Sequence, residues 1–81
     1  MSRRRRVVGV VVQPISGETV VLGTIPAEVK GAPPLPRGRG RVFTEGGRVL
    51  DLPAGQAMSV AAALEEAMTN PRRMAPPELD F

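Results

Sequence analysis

Arg41-Val42-Phe43-Thr44-Glu45-Gly46-Gly47-Arg48-Val49-Leu50-Asp51-Leu52 reads as two short strands joined at a pair of glycines. Glycine adopts positive φ at little steric cost, so Gly46-Gly47 suits a two-residue type I′ or II′ turn. That turn predicts a register in which Glu45 faces Arg48 and Phe43 faces Leu50, with Leu52 on the same side. One face is then apolar and an opposite-charge pair closes the turn end. A slip of one residue would undo both features.

Upstream, Val7-Val8-Gly9-Val10-Val11-Val12 is a β-branched run and Thr19-Val20-Val21-Leu22-Gly23-Thr24-Ile25 is a second. Pro14-Ile15-Ser16-Gly17 between them is rich in turn formers, so the pair predicts another hairpin. Both strands are apolar on both faces, which requires more than one covering layer. Residues 26–40 form a break, with Pro26, Pro33, Pro34 and Pro36 and little apolar periodicity. Pro33-Pro34-Leu35-Pro36 favours polyproline II, and Lys30 before it gives the spacing of a polyproline ligand, although a stiff linker accounts for the same residues.

Downstream, Pro53-Ala54-Gly55 stops the strand and residues 56–69 turn helical. Ala57, Val60, Ala61, Leu64 and Met68 fall on one stripe, Ser59 is a candidate cap, and Asn70-Pro71 ends the element. The predicted fold class is α+β: two β-hairpins in a small antiparallel sheet and one C-terminal helix, with extended arms at both ends. An SH3-like open barrel is one arrangement such a sheet permits. The predicted organisation is a basic arm over 1–6, a body over 7–69 with the Pro/Gly-rich loop 26–40, and an extended tail over 70–81.

Composition narrows the function. The chain has 81 residues, two aromatic residues (Phe43 and Phe81), no cysteine and no histidine. Small scaffolds with thin cores usually recruit disulfides, a metal or a partner. Without Cys the first is closed, and carboxylates are the only metal ligands left, so no cofactor or metal is expected. The common general bases and strong nucleophiles are missing too, and Glu65-Glu66 point in different directions on the helix. We expect no enzyme. Arg3–Arg6 before Val7–Val12 imitates a secretory signal, but the six-residue apolar run ends at Gln13-Pro14. Nothing approaches the roughly 20 apolar residues of a membrane span. The expected location is cytoplasmic or within a virus particle, not secreted by a signal peptide.

The arginines carry the remaining signal. Ten Arg and one Lys against eight acids leave a net charge of +3. Arg3, Arg4, Arg5 and Arg6 give the start one character, while Glu78-Leu79-Asp80-Phe81 gives the finish another, acidic with the apolar anchors Leu79 and Phe81. The expected function is that of a structural or assembly protein, an accessory subunit of a large complex such as a virus particle. Its two ends would bind neighbouring protein subunits by charge and by aromatic anchoring, in a homo-oligomer or a larger assembly. The alternative is a DNA-binding accessory or regulatory protein. Pro36-Arg37-Gly38-Arg39-Gly40-Arg41 resembles the Pro-Arg-Gly-Arg-Pro core of an AT-hook, with Gly40 where that family has its second proline. The resemblance implies that Arg37 and Arg39 enter a narrow A·T minor groove, with Arg41 beside them. No stacking aromatics and no basic recognition helix accompany them.

Overall fold

The computed structural model describes residues 4–25, 35–72, 75 and 77–80. Five strands and one helix follow in the order β1 (Arg4–Gln13), β2 (Val20–Gly23), β3 (Arg39–Thr44), β4 (Val49–Pro53), α1 (Ala54–Thr69) and β5 (Glu78–Asp80). The class is α+β, as the sequence predicts. The sheet runs β2-β1-β3-β4 with every pairing antiparallel, and β5 pairs with the first residues of β1. Among the described residues β2 and β4 remain edges, so the sheet stays open rather than closing into a barrel.

One face of the sheet lies against α1. Val7, Val10, Val12 and Val42 pack there on Ala57, Ala61 and Leu64, with Val20, Leu22, Leu52, Val60 and Leu79 around them. The valines are stiff at χ1 and fit a pleated surface, and the small helix residues let the two layers approach closely. Closest approach falls at Gly40, where a Cβ would lie on top of the Cβ of Ala57. The helical stripe matches expectation at Ala57, Val60, Ala61 and Leu64. Ala67 takes the buried position assigned to Met68, which is exposed. Helix geometry explains the exchange: a 3.6-residue repeat carries the stripe from Leu64 to 67 as readily as to 68, and the smaller side chain fits the layer gap. The helix starts at Ala54, earlier than a Ser59 cap requires, and Ser59 Oγ donates back to Gly55 O at 3.3 Å. Asn70 ends it, its N–H donating to Glu66 O at 2.8 Å.

The glycine-pair hairpin forms, but its register differs by one residue from the predicted one. Phe43 faces Val49, Val42 faces Leu50 and Arg41 faces Asp51. The loop spans three residues rather than two. Thr44 N–H donates to Arg48 O at 3.0 Å, and Glu45 N–H is drawn away to Arg6 O on β1 at 2.9 Å. Gly46 and Gly47 both take positive φ, as that loop requires. Phe43 and Leu50 therefore point to opposite faces, and the predicted Glu45–Arg48 facing pair is replaced. Glu45 approaches Arg6 at 3.7 Å instead, and Arg41 meets Asp51.

The two ends meet. Arg4, Arg5 and Arg6 stand opposite Asp80, Leu79 and Glu78, and Val7 N–H donates to Pro77 O at 2.9 Å. Arg4–Arg6 is thus the opening of β1 rather than an arm apart from the body, and part of the tail is strand.

Candidate functional site

Successive residues of a strand point to opposite faces, so the residues between the core positions define a second face, turned away from α1. Across β2, β1, β3 and β4 it carries the row Val21, Val11, Arg41, Asp51, beside the row Gly23, Gly9, Phe43, Val49. Its centre is filled and its margins are open. Phe43 is 1% exposed, whereas Val21 and Val49 are 60% and 44% exposed.

Gly9 makes the filled part possible. After Gly23 turns at positive φ, the chain crosses this face, and a Cβ on Gly9 would run into Thr24 O and sit 3.2 Å from Ile25 Cδ1. Thr24 N–H holds the crossing by donating to Val8 O at 2.8 Å. Ile25 thereby joins Phe43 on the same face. The sequence offers Gly9 only as an interruption in a valine run; the close backbone approach that uses it is not visible there.

The basic residues are spread over this frame. Arg41 Nε donates to Asp51 Oδ1 at 3.0 Å, and Arg37 Nη1 donates to Pro14 O at 3.2 Å. Arg39 is exposed, on the same face as Arg41. The second half of the AT-hook-like segment, Arg39–Arg41, is therefore strand, and Arg37-Gly38 is the turn that leads into it. Gly38 N–H donates to Gln13 O at 2.7 Å, and Gly40 is buried under Ala57. A hook lies in the minor groove with its backbone free to follow it, and here the backbone of Gly38 is already bonded to Gln13 O and to the Ala54 N–H.

Arg5 turns its guanidinium under the β3–β4 loop, where Nη1 would meet a Cβ on Gly46 at 2.9 Å. Its Nε is buried with no hydrogen-bond partner among the described residues. Leu79, expected to anchor a neighbour, packs instead against the chain's own core as the cross-strand partner of Arg5. The physical reason is proximity: the two ends of one short chain meet each other at a far higher effective concentration than either meets another molecule. Arg3 and Phe81, and most of the polyproline-like segment 30–36, lie outside the described residues.

Other features are minor. A shallow hollow of about 300 Å³ at the end of α1 is lined by Thr69, Asn70, Pro71 and Arg72, with no acid among them and the Thr69 hydroxyl donating to Glu65 O at 2.9 Å. Among the described residues no three carboxylates cluster as metal ligands, and no helix is long and apolar enough to cross a membrane. No family model, no curated protein and no solved structure matches this chain.

Proposed function

We propose that this protein is a non-enzymatic assembly subunit that completes the burial of its valine-rich sheet against other protein subunits. The observation that carries this reading is the exposure of Val21 and Val49 at the two margins of the face that α1 does not cover. Among the described residues one helix shields one side of the sheet. Covering the valines left exposed at those margins against a neighbour is favourable, because apolar surface is removed from water. With the two ends paired in cis, that face and its edges replace the arms as the surface offered to a neighbour.

Two measurements test it. Light scattering should give a mass above the 8.6 kDa of one chain. The midpoint of thermal unfolding should rise with protein concentration, because association that favours the folded state stabilises it by mass action. A monomer whose sharp unfolding is independent of concentration would overturn the reading.

The nucleic-acid alternative rests on Arg37 and Arg39, both exposed. The backbone bonds of Gly38 and the burial of Gly40 weigh against the hook geometry, so it ranks second. Tight binding to A·T-rich duplex in a gel shift, lost on changing Arg37 and Arg39 to Ala, would reverse that ranking.

A further inference from the structure

We infer that the outer edge of β2 is a pairing site for β2 of a second copy of this chain, with Val21 on the two-fold axis. This rests on the assembly reading and names its first contact.

The edge strands differ in the backbone groups they offer. Alternate residues of a strand direct their backbone groups to alternate sides. Thr44 N–H bonds Arg48 O, so on β4 the residues facing outward are Val49, Asp51 and Pro53. Pro53 has no N–H to donate and Asp51 brings a charge. Val7 N–H bonds Pro77 O, so on β5 the outward residues are Glu78 and Asp80, both acidic. Charges and proline are the ordinary means by which sheet edges are kept from pairing. Thr24 N–H bonds Val8 O, so on β2 the outward groups belong to Val21 and Gly23. Val20-Val21-Leu22-Gly23 holds no charge and no proline. Among the described edge strands it alone is left unguarded.

The same four residues suit a copy of themselves. Placed antiparallel about Val21, the facing pairs are Val21 with Val21, Val20 with Leu22, and Thr19 with Gly23. Every pair is uncharged, which matters in a chain of net charge +3 whose copies repel over much of their surface. Val21, 60% exposed, would be covered on the second face. On the first face α1 runs from Ala57 over Gly40 on β3 to Leu64 beside Gly23 on β2.

The absence of cysteine makes the test clean. In this register two Val21 Cα atoms stand about 5.5 Å apart, inside the roughly 4.4–6.8 Å that a disulfide spans. Val21→Cys should therefore close to a covalent dimer under mild oxidation. Val49→Cys, on the guarded edge, serves as the control and should not. Val21→Lys should return the protein to a monomer with an unchanged circular dichroism spectrum. If Val21→Cys cross-links no faster than Val49→Cys while the wild type remains oligomeric, the edge inference fails and the assembly reading stands. If the wild type is a monomer and neither variant cross-links, both fail together.

Discussion

Gly40 of β3 lies directly beneath Ala57 of α1, so closely that a Cβ on the glycine would clash with the alanine's own Cβ. The sheet–helix spacing is set at this contact, and neighbouring Val12 and Val42 are fully buried around it. Gly40→Ala should destabilise the fold by about 1–3 kcal/mol, the usual range for added bulk in a packed core. Ala57→Gly in the same molecule should recover part of that loss. Urea unfolding of the two single variants and the double variant measures the coupling directly; strictly additive effects would separate the two residues.

Arg41 and Asp51 report the register of the β3–β4 hairpin. Their pair lies on the surface side of the sheet, with Asp51 exposed. Asp51→Asn should cost about 0.5–1 kcal/mol at low salt and less at high salt, in line with partly solvated ion pairs. The measurement is the difference in unfolding free energy between the two salt conditions. No salt dependence would argue that the pair contributes shape rather than charge.

Leu64 is the largest helix side chain in the core, whereas Met58 on the same helix is exposed. Leu64→Ala should cost about 2–5 kcal/mol, through lost transfer energy and the cavity left behind. Met58→Ala should change stability by no more than about 0.5 kcal/mol. Thermal melts at one protein concentration distinguish them.

Pairing of the two ends should be visible in hydrogen exchange. Val7 N–H is held by Pro77 O, while Val10 lies within the centre of the sheet. Removing residues 75–81 should raise the exchange rate at Val7 by about tenfold or more and leave Val10 protected, because local opening at a strand end costs less than global unfolding. Equal acceleration at both amides would show that β5 supports the whole sheet.

Gly9→Ala probes the chain crossing on the second face. A methyl group there would strike the backbone at Thr24, which cannot move without releasing its bond to Val8. The expected outcome is a loss of about 1–3 kcal/mol, together with faster exchange at the Thr24 amide. Unchanged exchange at Thr24 would mean that the crossing is not held by this contact.

Much of this protein is decided by local chemistry that the sequence states by itself. Val7–Val12 and Val20–Gly23 become strands because β-branched residues fit a pleated surface, and the small, apolar stripe from Ala57 to Leu64 becomes a helix that can approach a sheet. Gly46-Gly47 marks a turn because little else accepts positive φ twice. From these follow the α+β class, both hairpins and the single helix. The absence of charge and proline on β2 is equally legible, although not that β2 would be an edge.

Tertiary structure decided everything that depends on residues meeting across the chain. Apolar residues are consecutive on both strands, Val42-Phe43 and Val49-Leu50, so hydrophobicity allows either hairpin register; the choice falls to Arg6 O taking the Glu45 amide, Asp51 meeting Arg41, and Gly40 having to lie under Ala57. Opposite charges at the two termini state an affinity but not its object, and only the folded sheet brings Glu78 beside Arg6 rather than beside another molecule. The difference between the two faces arises in the same way. Hydrophobicity shows that both sides of the valine strands seek cover, whereas the path of the helix on one side and of Thr24-Ile25 on the other determines where each obtains it.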